Sequence, residues 1–234
     1  METEDNLIGR RVLMLGSAAT AASIGLGALG ALPEAEAAVR PRRRAAFAVW
    51  DPITGRSTTA MSPKRVTVHI AVTRSDDIYG PGKGPGGSYA HFYNPRSGAP
   101  RQHQYLDRRA AADLNGNARS ISVEHAGLDG DRMTDTQLRN LAKIFAWAVI
   151  HCGVPNRIAT VNDLRGLAWH RLGIDGNFGR FDRNDRTTWC RKQTGAVWSN
   201  STGKLCPTDK FIRQIPTVYS KAQYWLKKWG GRPG

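Results

Sequence analysis

The run Arg65-Val66-Thr67-Val68-His69-Ile70-Ala71-Val72 constrains this chain more than any other feature. It is β-branched, apolar and bounded by turn-forming residues, which predicts one buried strand. An imidazole inside such a strand is costly unless something engages it. His69 is therefore either a hydrogen-bonded core residue or a ligand.

The rest of the chain reads around that strand. Tyr89 to Tyr93 and Arg101 to Leu106 are short strand candidates about a turn at Asn94 to Gly98, and Arg119 to Ala126 (RSISVEHA) alternates in period 2 as a further strand. Tyr79 to Gly87 is a Gly/Pro loop; its Gly82-Lys83-Gly84 is followed by neither Ser nor Thr nor a helix start, which argues against a phosphate cradle. Thr134 with Gln137 makes a capping-box start, after which Leu138, Leu141, Ile144, Phe145, Ala148 and Val149 recur at helical spacing to His151. A last helical region is predicted from about Thr208 to Trp229. Strands first and helices mostly later indicate an α/β fold, a single domain with a central mixed β-sheet flanked by helices.

The ends are expected to lie outside that domain. Gly9-Arg10-Arg11-Val12-Leu13-Met14, an apolar Ala/Gly/Leu-rich stretch and the exit Ala35-Glu36-Ala37 read as a twin-arginine signal peptide over residues 1–37. The apolar stretch approaches the ~20 residues that span a bilayer. Its weakly hydrophobic composition and small-residue exit favour cleavage, leaving no stable membrane span. Residues 38–62, with Arg40-Pro41-Arg42-Arg43-Arg44, read as a basic arm, residues 63–220 as the folded domain and 221–234 as a basic tail. The formal net charge is +15; removing residues 1–37, with two arginines and five carboxylates, raises it to +18. For an exported bacterial protein, secreted or held at the cell wall, such a charge points to anionic wall polymers rather than to nucleic acid.

Thr202-Gly203-Lys204-Leu205-Cys206-Pro207 places a thiol beside an ammonium, a setting that suits a thiolate ligand or a nucleophile. His69 and His170, the latter in Leu167-Ala168-Trp169-His170-Arg171, are natural partners for either role. As ligands, two imidazoles and a thiolate fill three positions of a zinc tetrahedron and leave the fourth open, the arrangement of a catalytic site.

These residues resemble the zinc-dependent N-acetylmuramoyl-L-alanine amidases (amidase type 2), the group that includes phage lysozyme-like amidases and peptidoglycan recognition proteins. The likeness spans roughly residues 64–220. VTVHIAVT matches the strand bearing the first metal histidine, His170 the second, and Lys204-Leu205-Cys206 the catalytic lysine followed by the third ligand. Ala90-His91-Phe92, Gln102 to Tyr105, and Asn117 with RSISVEHAG match in order. The resemblance implies an amidase/PGRP-like fold, Zn2+ held by His69, His170 and Cys206, Glu124 as general base and Lys204 as oxyanion stabiliser. It implies peptidoglycan as substrate, cut between N-acetylmuramic acid and L-alanine, by an enzyme expected to be a monomer. Two departures stand out: residues 175–202 form an insertion, and the tyrosine that phage relatives carry before His-Phe is Ala90 here, with Tyr89 one place earlier.

With Cys206 on the metal, Cys152 and Cys190 remain, either as a disulfide pinning the insertion or as two free thiols. His125, next to Glu124 on an alternating strand, is expected to face away from the metal. Three other functions compete with the amidase: a non-catalytic peptidoglycan-binding protein of the same fold, a Cys/His hydrolase with Cys206 as nucleophile, and a nucleic-acid binder. Lys204 beside Cys206 argues against the first, the loop context before Pro207 against the second, and export with no recognised motif against the third.

Overall fold

The computed structural model of the chain describes residues 44–79, 89–160, 162–173 and 206–230. The β-branched run forms β2 (Arg65–Ile70), buried along its whole length. It pairs in parallel with β5 (Ser120–His125) on one side and β6 (Gly166–Trp169) on the other. Beyond β5 the sheet continues through β3 (Phe92–Asn94), parallel to β5, and β4 (Arg101–Gln102), antiparallel to β3. The outermost strand, β1 (Val49–Trp50), runs parallel to β4, and the order across the mixed sheet is β1-β4-β3-β5-β2-β6.

β3 and β4 are shorter than the predicted stretches because polar side chains take over the backbone groups. Gln104 accepts from the Tyr105 amide at 2.8 Å and donates to the Ser57 and Arg109 carbonyls at 2.9 Å each, which turns the chain out of the ladder. β1 lies within the segment expected to be a basic arm. That segment joins the body from Ala45 onward: the Ala45 amide donates to Gln102 Oε1 at 2.8 Å, and Ala45, Ile53 and Met61 are buried.

Successive side chains of a strand point to opposite faces, and here the two faces are chemically distinct. Val66, Val68, Ile70, Ile121, Val123, Leu167 and Trp169 point one way and form the main core with α1 (Asp135–Cys152) and α3 (Ile215–Lys228). Arg65, Thr67, His69, Ser120, Ser122 and Glu124 point the other way, and all but Glu124 are buried as well.

α1 begins with the predicted capping box: the Gln137 amide donates to Thr134 Oγ1 at 3.2 Å, and the Thr134 amide to Gln137 Oε1 at 3.0 Å. The Gln137 amide group also donates to the Asn94 and Ala126 carbonyls at 3.1 and 2.7 Å, tying the helix start to the ends of β3 and β5. The C-terminal helical region divides into α2 (Asp209–Ile212) and α3, because Pro216, with no N–H to give, makes a fresh helix start. α3 buries Ala222 and Leu226, so helix occupies positions where a basic tail was expected from 221. No helix among the described residues is long and apolar enough to cross a membrane.

Candidate metal centre

The polar face of the sheet carries the site near the carboxyl ends of its central parallel strands. In the β2–β5 register His69 stands opposite Glu124, so the two side chains share one face. β6 ends at Trp169, and His170 opens the short 3-10 turn His170–Gly173 that follows. Cys206 enters from the C-terminal segment, its Sγ accepting from the Ile70 amide at 3.3 Å. The ligand atoms of His69, His170 and Cys206 all lie within 4.8 Å of one another. His69 Nδ1 is 3.7 Å from Cys206 Sγ and 3.8 Å from Glu124 Oε1, and the two imidazole rings are 4.6 Å apart.

This donor set fits zinc. Tetrahedral Zn–N and Zn–S bonds place neighbouring ligand atoms about 3.5 Å apart, close to the Nδ1–Sγ separation here. The three residues are nonadjacent in sequence and buried or half-buried, so they meet only because the fold brings them together. Among the described residues a second group, Asp51, Asp77 and His103, has comparable spacing. Its groups are engaged with protein partners: His103 Nδ1 contacts the Asp51 carbonyl at 2.5 Å, Asp51 pairs with Arg101 at 3.4 Å, and Asp77 accepts from the Tyr79 amide at 3.0 Å.

Asp113, which the sequence reading did not single out, completes the first site from below. Its Oδ1 lies 2.9 Å from His69 Nε2, and the residue is fully buried. Burial alone would lower the His69 pKa, but Asp113, Cys206 and Glu124 together hold it well above the usual value. For Asp113 burial acts upward, and the nearby His69, with His170 and Ser120, outweighs it and keeps the carboxyl well below the usual range. A loop Asp 44 residues from the histidine carries no local signal of this contact; only the tertiary fold supplies it.

Glu124 reaches beyond the ligands. The phenols of Tyr79 and Tyr93 are pushed upward first by burial and then by the Glu124 charge. Tyr79 receives the Ala90 amide at 3.0 Å, whereas Tyr89 binds the Ser57 amide at 2.7 Å through its hydroxyl and lies in a separate small cluster with Ile53 and Ala110. The remaining histidines take structural places. His91 bridges Ser122 Oγ and the Arg108 carbonyl at 3.0 and 2.8 Å. His125 faces away from Glu124, as alternation requires, and contacts the His69 carbonyl at 3.0 Å and the Phe211 ring. His151 packs on Trp147 in the last turn of α1.

Lys204, the expected oxyanion stabiliser, and the 175–202 insertion lie outside the described residues, as does Cys190. Cys152 is a buried thiol whose pKa burial raises to about 12, and its expected pairing with Cys190 lies outside the described residues.

The family model for N-acetylmuramoyl-L-alanine amidase matches residues 56–190. Among solved structures, the Staphylococcus aureus hydrolase AmiA in complex with its ligand is 15% identical with a TM-score of 0.53, the match covering 82% of this chain and 89% of that one. The catalytic domain of XlyA is 18% identical, with a TM-score of 0.47 over 74% of this chain and 97% of that one. The endolysin LysCS from Clostridium intestinale is 12% identical, with a TM-score of 0.46 over 81% and 99%. The AmiA likeness shows a shared fold. No curated protein sequence matches the chain.

Proposed function

The chain belongs to the N-acetylmuramoyl-L-alanine amidase family, and from that premise we propose that it hydrolyses the amide bond joining N-acetylmuramic acid to the L-alanine of the stem peptide, with Zn2+ held by His69, His170 and Cys206. The observation that carries the reading is the meeting of those three ligand atoms within 4.8 Å, with Glu124 Oε1 3.8 Å from one of them. Zinc in that position supplies Lewis acidity toward water and toward the scissile carbonyl.

The side chains perform the rest. Glu124, 17% exposed, sits at the boundary between the buried ligands and solvent, where its carboxylate can take a proton from the attacking water and return it to the departing amide nitrogen. His69 and His170 are held by buried contacts, so the face presented to substrate needs little rearrangement. Lys204, two residues before Cys206, is assigned the developing oxyanion by likeness to the family. On this reading the substrate lies outside the cytoplasm. A twin-arginine signal over residues 1–37 would then serve export, and the basic surface would favour anionic wall.

The test is metal content beside turnover. The chain lacking residues 1–37 is purified as wild type, Cys206→Ser and Glu124→Gln. Zinc is quantified by mass spectrometry, and peptides released from peptidoglycan are sequenced. The expected results are one zinc per wild-type chain with L-alanine-terminated peptides released, loss of both in Cys206→Ser, and retained zinc with activity lowered about 10²–10⁴-fold in Glu124→Gln. Zinc without release of such peptides would overturn the activity, and a metal-free wild type would overturn the site.

A further inference from the structure

Beneath the candidate ligands the covered polar face of the sheet holds a buried charged chain, Arg65, Ser120, Asp113 and His69. Arg65 Nε donates to Ser120 Oγ at 2.8 Å, Ser120 is among the neighbours that lower the Asp113 pKa, and Asp113 Oδ1 lies 2.9 Å from His69 Nε2. All four residues are at most 5% exposed. A carboxylate wholly out of water is retained only where charge and hydrogen bonds offset its desolvation. Here it has a guanidinium behind it and an imidazole in front.

The backbone is built to hold that carboxylate still. The Ala112 and Asp113 amides both donate to Asn117 Oδ1, at 3.1 and 2.7 Å. The next residue, Leu114, takes φ of +49°, a left-handed conformation unusual for leucine, and turns the chain sharply into the 3-10 turn Leu114–Ala118. Two capped amides, a strained corner and a buried cation therefore converge on a single side chain, and that side chain meets His69 on the nitrogen away from Cys206 and Glu124.

We propose that Asp113 is a positioning residue for the metal centre. With Asp113 Oδ1 engaging Nε2 of His69, Nδ1 is the nitrogen presented to the space shared with Cys206 Sγ and Glu124, where metal binding would displace its proton, and Arg65 with Ser120 keeps Asp113 in place. The inference rests on the zinc reading above. It adds which nitrogen of His69 binds and what determines it. Ring-nitrogen choice follows the hydrogen bond made by the other nitrogen, and such outer contacts typically contribute 10–100-fold in metal affinity. Asp113→Asn preserves the shape but changes the chemistry. An amide can turn its NH2 toward Nε2, which favours the Nδ1–H tautomer and withdraws the lone pair the metal needs.

The test measures zinc affinity by competition with a chromophoric chelator for wild type and Asp113→Asn, with near-ultraviolet circular dichroism of the zinc-free proteins reporting whether the fold is retained. A folded Asp113→Asn is expected to bind zinc at least 10-fold more weakly. A second measurement needs no variant: long-range 15N–1H correlation spectra of zinc-loaded wild type should show His69 protonated at Nε2 and metal-bound at Nδ1, which a merely structural role for Asp113 does not require. Wild-type affinity in folded Asp113→Asn, or zinc on Nε2 of the wild type, overturns the proposal while leaving the amidase reading intact. A wild type that binds no zinc removes both.

Discussion

Gly166 opens the strand that delivers His170, and replacing it with alanine should be costly for two separable reasons. Its φ is +108°, a region that side-chain-bearing residues enter at a cost of about 1–3 kcal/mol. An alanine Cβ there would also lie 2.2 Å from the Arg157 carbonyl oxygen, against a practical limit of 3.0 Å, so backbone must part by about 0.8 Å. That displacement falls on a ladder in which the Leu167 amide donates to the Arg157 carbonyl at 2.8 Å and the Ala159 amide to the Leu167 carbonyl at 2.9 Å, each bond contributing about 1 kcal/mol. Together the expected loss is about 4 kcal/mol, a large share of the roughly 5–15 kcal/mol that stabilises a domain. Gly153→Ala is the internal control. Its φ of +69° carries the left-handed conformational cost, but nothing lies within 4 Å of the added carbon, so about 1–2 kcal/mol is expected. Urea denaturation of the zinc-free proteins followed by circular dichroism measures both. A Gly166→Ala loss no larger than that of Gly153→Ala would refute the claim that the close approach to Arg157, rather than backbone conformation alone, dictates glycine there.

Acid should weaken the zinc-free protein well before its carboxylates protonate. Burial lowers His91 and His125 to about 4, below the ordinary 6.5, so their contribution is complete above pH 6.5 and is lost as pH falls toward 4, by up to about 3 kcal/mol each. His69 moves oppositely: its pKa is raised, so its contribution persists through that window and fades only as pH rises through its folded value. Urea midpoints at pH 7 and 4.5 should differ clearly, and equal midpoints would contradict the buried neutral state of the two histidines. Gln137→Leu should cost about 2–3 kcal/mol in the same assay, because it strips partners from the Asn94 and Ala126 carbonyls at the helix start; a loss under about 0.5 kcal/mol would show that this junction is not what holds α1 to the sheet.

The elements legible in the sequence were those whose signals are local. The β-branched run of β2, the Thr134/Gln137 cap and the alternation that set Glu124 against His125 all reappear in the structure, because strand periodicity and capping act over a few residues. β1 escaped because a two-residue edge strand has no period to read. The polar face escaped for a different reason. Arg65, Ser120 and Ser122 alternate with apolar neighbours just as solvent-facing residues would, and only the loops closing over them show that they are buried. Asp113 belongs with these: its meaning lies in a contact with His69 that no local pattern encodes.

The two faces of the sheet also bear on how this chain can vary. In β2 and β5 neighbouring positions alternate between the helical core and the chemistry, so a point substitution perturbs mainly one or the other. A one-residue insertion or deletion within either strand would exchange the two roles from that point on, sending His69 or Glu124 into the core and valines toward the substrate. The spacing of these strands is therefore a harder constraint than most of the residues that fill them.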